Sequence, residues 1–195
     1  MNNENASYFW IWQKRKEWRE AVFDAFDKET DRGVAIISIC YLDRLLEELI
    51  KASYIKDNKI SKLFEEEQLL RSFYSKLNIA YFGGLIPKEI FNDLIIINKI
   101  RNIFAHEITA NIDFSDKVVS NKINNFCQLP DKLRAFPPKL KFTLIVIHVG
   151  SFLRFSRFAL KQQHIRSVVE TLGLNKVDFQ NMLLTPAEIH KLVKS

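Results

Sequence analysis

The chain has 195 residues, 47% of them hydrophobic and 27% charged, with only 5 glycines and 5 prolines. That is ordinary for a soluble globular domain with a sizeable core, and so few chain breakers argue for an all-α fold over a turn-rich one. The net charge of +6 is uneven: Asp131 to Ser195 holds eleven Lys/Arg against four Asp/Glu, so the remainder sums to −1. A basic C-terminal third permits contact with nucleic acid or an acidic partner, although the same charge also serves simply to solvate a surface.

The polar, Asn-rich Met1 to Ala6 carries no signal peptide, and residues 1–7 are expected to be disordered. Tyr8 to Lys28 reads as a helix rich in tryptophan, at Trp10, Trp12 and Trp18. Those rings suit either a partner surface or packing within the chain. Asp31 is expected to cap the next helix, which runs to about Tyr54. Its first half, Val34 to Cys40, is apolar nearly all round and should be deeply buried. Its second half is amphipathic, with Leu42, Leu45, Leu46 and Leu49 opposite Asp43, Arg44, Glu47 and Glu48. Lys56 to Lys59 is a polar turn, and Ile60 to Glu67 is a short helix or loop. Its Glu65, Glu66 and Glu67 lack a matching cluster of His or Asp, so no metal site is expected.

Leu70 to Phe82 predicts a helix that Gly83-Gly84 ends. Pro87 then opens a helix from about Lys88 to His106. After a turn at 111–115, Asp113 or Ser115 can cap a helix through Phe126. Leu129 to Pro138 contains three prolines and reads as a linker. Leu140 to Gln163 is a long core helix. Its most apolar run, Phe142 to Leu160, is broken by His148, Gly150, Arg154 and Arg157, which makes a poor membrane span. His148 reads as a core histidine. Cys40 and Cys127 sit among apolar residues without metal-ligand spacing, which fits buried, reduced thiols in a cytoplasmic protein. A shorter helix broken near Gly173 follows, and Thr185-Pro186-Ala187-Glu188 caps a last one over Ala187 to Val193. There is no internal repeat and no glycine-rich phosphate loop, and no cofactor is implied. The chain is read as a single all-α domain, with 8–127 as its main body, 128–138 as a linker and 139–195 as basic C-terminal helices.

The chemistry concentrates in Ile100-Arg101-Asn102-Ile103-Phe104-Ala105-His106. On a helix at ~100° per residue, Ile96, Ile97, Ile100, Ile103 and Phe104 share one stripe, and Asn98, Arg101, Asn102, Ala105 and His106 share another. Arg101 can hold a phosphate through two N–H donors and offset developing charge. His106 can give or take a proton near neutrality. Asn102 can orient the imidazole or bind the phosphate. Such a set suits metal-independent RNA cleavage with the 2′-hydroxyl as nucleophile. One helix supplies only one proton-transfer group, so this mechanism calls for a homodimer. The spacing by itself is weak evidence: ten Arg and four His produce it by chance about 0.2 times in such a chain.

Three ordered segments give the motif context. The first is Arg32-Gly33-Val34-Ala35 with Tyr41 to Leu49. Next comes Ser72 to Tyr81 followed by Gly84-Leu85-Ile86, and Ile100 to His106 is third. In that order they resemble the mannitol operon repressor family of bacterial proteins, over about residues 30–127. That family is similar in turn to HEPN-type helical domains, whose ribonuclease members carry R-x-x-x-x-H. Here the pattern falls on Arg101 and His106. The resemblance implies a HEPN-like helical bundle with additional C-terminal helices, and a regulatory or interaction protein presumed to act in transcription. Its alternative is an endoribonuclease with a composite Arg/His site, as in a toxin–antitoxin or defence system. Glu107-Ile108 departs from the toxins that place a Tyr two residues past the His, and the residues around Arg71 to Tyr74 are larger than the family tends to have. No helix-turn-helix is evident. The nearest candidate, around Gly173, has a second segment, Val177 to Leu184, with little basic character. Regulation would then run through a protein partner. RNA and DNA remain partner classes, and Arg154, Arg157 and Lys161, at i, i+3 and i+7 with Phe152, Phe155 and Phe158 interleaved, form a candidate nucleic-acid track.

Overall fold

The computed structural model describes residues 16–53, 62–65, 69–106, 112–129 and 131–171, with backbone alone at 132 and 161–171. All regular structure among the described residues is helical. We number the helices α1 (16–27), α2 (Asp31–Ser53), α3 (Phe73–Phe82), α4 (Lys88–His106), α5 (Lys117–Asn124) and α6 (Pro138–Thr171), with a 3-10 turn at Asp131–Leu133.

Helix α2 is the hub. It packs most extensively on α6, then on α4 and α3. Val34, Ala35, Ile39, Leu42, Leu46, Leu49 and Ile50 are each no more than 2% exposed. This broad apolar face explains how one helix can serve three neighbours. Its first half is not buried all round, however. Ile36, Ile37 and Cys40 are exposed, because the neighbouring helices cover only one side of this turn. Thr30, not Asp31, caps the helix: its Oγ1 accepts from the Gly33 N–H at 3.1 Å. Asp31 is the first helical residue. Its carboxylate accepts from the Phe114 N–H at 2.9 Å and pairs with Lys139 at 3.3 Å, tying α2 to the α5 entry and to α6.

The turn after α3 closes as a Schellman motif. The Leu85 N–H donates to the Ala80 carbonyl at 2.8 Å, and the Gly84 N–H to that of Tyr81 at 3.0 Å. Gly84 takes the left-handed conformation this needs, with φ 69°. Helix α3 itself begins at Phe73 with Ser72 as cap, later than the Leu70 start expected from the sequence. In α4, Ile90, Asp93, Leu94, Ile97, Ile100 and Phe104 are buried at helical spacing. Phe104, Phe114, Phe126 and Phe142 form a chain of ring contacts, with centroids 4.9 to 6.3 Å apart, that joins α4 and α6 through the turns flanking α5.

Asp116 caps α5, accepting from Val118 N–H at 3.2 Å. Asp113, one of the expected caps, instead accepts from Ser115 and Asp116 in the preceding turn. The expected linker is integral to the fold: Leu129 is buried, Leu133 packs on the core, and a 3-10 turn fills the space between them and α6. Helix α6 starts at Pro138 and runs to Thr171, past the expected end at Gln163. By length and composition its stretch 138–160 would suit a membrane span. Phe142, Ile145, Val146, Val149 and Leu153 instead form a buried stripe against the core. The shorter helix expected after Gln163 is, as far as Thr171, a continuation of α6, and Gly173 and the helix expected over Ala187 to Val193 lie outside the described residues.

Candidate functional site

The outer face of α4 carries the motif. Ile97, Ile100 and Phe104 anchor the opposite side in the core at 0% exposure, which fixes the rotation of the helix. Asn98, Arg101, Asn102 and Ala105 are then half-buried, and His106, the last helical residue, is exposed. Asn102 and His106 thus lie on the open side, whereas Arg101 lies about 140° round the helix from His106 and nearer the buried Ile97. Arg101 Nη1 donates to Asn102 Oδ1 at 3.0 Å, and among the described residues no carboxylate pairs with Arg101. Nor does any hydrogen bond join Asn102 to His106 there, so Asn102 steadies the guanidinium rather than the imidazole. A phosphate could take the guanidinium edge that Asn102 leaves open.

The face extends beyond the motif. Lys88, Phe91, Ile95, Lys99, Asn102 and His106 follow the same side of α4 in steps of three or four. Lys88, Lys99 and His106 are exposed, and Phe91 and Ile95 half-buried. Of the two α4 acids, Glu89 is exposed, about 160° round the helix from Phe91 and about 100° from Lys88. Asp93 is fully buried, where its carboxylate accepts from the backbone N–H groups of Cys127 at 2.6 Å and Gln128 at 3.1 Å. Burial pushes the Asp93 pKa up, and the two backbone donors offset this only in part. Asp93 is thus a brace for the 126–129 corner. Lys88, Phe91 and Lys99 escape a reading centred on the heptapeptide, although the helical register from His106 backwards leads to them.

The C-terminal track is largely engaged internally. Arg157 donates to Glu48 at 2.6 Å, and Arg154 lies 4.9 Å from the centroid of the Trp18 ring. Lys161 falls in α6 where only the backbone is described. Phe152 is partly buried against the core. Phe158 is 41% exposed. Residues 152 to 158 thus fasten α6 to α1 and α2 more than they offer a continuous cationic rail. Trp18 packs inside the chain, 6.0 Å from Tyr41, while Trp10 and Trp12 lie outside the described residues. Two further expectations fail. His148 is exposed, although burial of part of its imidazole pulls its pKa down, with the nearby Asp93 charge opposing this. Cys40 and Cys127 are exposed as well, because apolar neighbours in sequence are not neighbours in space. Burial of part of the Cys127 side chain, with the nearby Asp93 charge, still holds its thiol above the usual range.

Fold and site together define an all-α helical bundle with Arg101, Asn102 and His106 in the last turns of a central helix. No family model, no curated protein and no solved structure matches the chain.

Proposed function

We propose that this chain is a cytoplasmic regulatory or interaction protein of the mannitol operon repressor type, that it forms a homodimer, and that the outer face of α4 is its working surface. The carrying observation is Arg101: a half-buried residue whose guanidinium is held by an amide and, among the described residues, by no carboxylate. A desolvation-tolerant cation left without an anion is suited to an anionic ligand or an acidic partner surface. The direct test is a mobility shift on DNA and RNA across salt concentration, with wild type and Arg101→Gln. A nucleic-acid ligand predicts weaker binding and a shallower salt slope for the variant. Wild type that shifts nothing even at low salt restricts the surface to protein partners. Wild type and variant shifting alike would remove Arg101 from the binding face.

A second reading is a metal-independent endoribonuclease, and the exposure of His106 on the same helix as Arg101 favours it. His106 would act as general acid or base and Arg101 as phosphate clamp, with the second proton-transfer group supplied by another copy. RNA cleavage in the presence of a chelator, lost in His106→Ala, is its test. Equal cleavage by both proteins would assign the activity to a contaminant.

A further inference from the structure

We propose that the α3–α4 hairpin carries a nucleobase-stacking ledge, formed by Tyr81, Phe82 and Phe91, which seats single-stranded RNA whose backbone then runs along α4 to Arg101. The proposal rests on the nucleic-acid reading of the α4 face. It adds a binding site that the Arg/His motif does not contain.

Three observations converge. Tyr81 stacks on Phe91, with centroids 4.4 Å apart and planes at 28°, so a ring from α3 is locked onto the helix that bears Arg101. Phe82 leans on Tyr81 at 5.4 Å and is 80% exposed. A single exposed Phe needs no explanation. This one ends an outward stripe of α3 that begins at Tyr74, itself 57% exposed, and it adjoins a rigid aromatic pair. A supported ring with its face in water is what base stacking requires, and it tolerates any base.

Charge selects the occupant. From Leu69 to His106 the hairpin has two acids, Glu89 and the buried Asp93, against Arg71, Lys76, Lys88, Lys99 and Arg101. Lys76 is buried against acids of α2 and takes no part. On the outer side of α4, Lys88 precedes Phe91 and Lys99 lies between Ile95 and Asn102, and among the described residues of this helix no carboxylate stands on that line. An apolar peptide would need no such cations, whereas a phosphodiester chain would. Phe91 and Arg101 are ten residues apart, about 15 Å along the helix. That span falls within the few nucleotides that compact single-strand sites occupy.

The test uses the intact protein and fluorescein-labelled oligouridine and oligoadenine RNA, read by fluorescence anisotropy over a salt series. Phe82→Ala and Phe82→Leu should weaken binding roughly 5- to 150-fold, while Phe82→Trp should retain it. The salt slope should be unchanged in all three. Arg101→Gln should instead flatten the slope by about 0.7. Phe82 is exposed enough for each variant to fold, which far-ultraviolet circular dichroism checks. If the Phe82 variants bind like wild type while Arg101→Gln is weakened, the ledge is overturned and the nucleic-acid reading stands. If Phe82→Leu binds as well as wild type and only Phe82→Ala fails, apolar contact rather than stacking is at work, and the ledge is also overturned. Should wild type bind neither RNA at low salt, the nucleic-acid reading fails and the ledge with it. Sedimentation covers the remaining outcome: a dimer lost in Phe82→Ala with RNA affinity unchanged makes this face a protein contact and refutes the proposal.

Discussion

Replacing Lys76 by methionine tests whether the α2–α3 contact is held by charge. The Lys76 side chain is 5% exposed and its ammonium lies 2.8 Å from Asp43 and 3.0 Å from Glu47, whose side chains are 32% and 28% exposed. Methionine preserves most of the apolar stem and its packing, so the charge is the main loss. Removing one partner of a buried ion pair costs about 3–5 kcal/mol. Here the acids keep some water, and Glu47 retains Lys51 at 2.6 Å, which places the expected loss lower, at about 2–3 kcal/mol. With a urea m-value of roughly 2 kcal/mol/M, the unfolding midpoint should fall by about 1 M. The pH dependence carries the sharper signature. Burial pushes the Glu47 pKa up, but hydrogen bonds from Lys51 and Lys76 outweigh it and the net shift is down from 4.5. Its contribution is therefore complete above 4.5 and fades as pH falls through the lower folded value. Burial likewise pulls Lys76 down, but Asp43 and Glu47 outweigh it and the net shift is up from 10.5, so its contribution is complete below 10.5 and fades as pH rises through the folded value. The Lys76→Met penalty should thus be full at neutrality and smaller at an acid pH well below 4.5, as Glu47 titrates through its lowered folded value. A penalty of equal size at both pH values would refute the electrostatic account, as would one under about 0.5 kcal/mol at neutrality.

Asp93→Ala strands the Cys127 and Gln128 N–H groups and should cost about 2 kcal/mol or more by urea unfolding. Because the folded Asp93 pKa lies above 3.8, wild type gains stability from this group as pH falls through that raised value. The gap to Asp93→Ala should therefore widen from neutral to mildly acid pH, and a narrowing gap would contradict the assignment. Gly84→Ala meets no atom within 4 Å, so its loss should be backbone strain alone, about 1 kcal/mol, with Gly84→Asn milder; calorimetry showing no loss would argue against the left-handed turn. Both thiols should react with a disulfide reagent without denaturant, since both cysteines are exposed. Cys127 should be slow at neutrality and accelerate above its raised pKa, so fast labelling of Cys127 at neutral pH would count against that shift.

The helices were legible because their apolar residues recur at helical spacing. Lys88–His106 matches the expected element at both ends, with Pro87 before it and a polar stripe on its open side. Capping was less legible. Thr30, Asp31, Asp113 and Asp116 are all competent caps, and the choice among them depends on which N–H groups the packed helices leave without partners. Burial was misread where it was inferred from neighbours in sequence. Cys40 and His148 stand in apolar runs, yet a helix turns 100° per residue, so an apolar run still presents an outward side wherever no other helix covers it, and Cys127 lies in the turn that follows α5.

The amino-acid sequence by itself determined an all-α chain, the positions of its long helices and the heptapeptide that places Arg101, Asn102 and His106 on one stripe. Periodicity encodes such features locally. Only the tertiary structure decided which stripe faces water, that Arg154 and Arg157 are drawn to Trp18 and Glu48, and that Tyr81 of α3 stacks on Phe91 of α4. Those outcomes depend on which helix covers which, a competition among apolar faces settled by their joint packing around α2 and by no single segment.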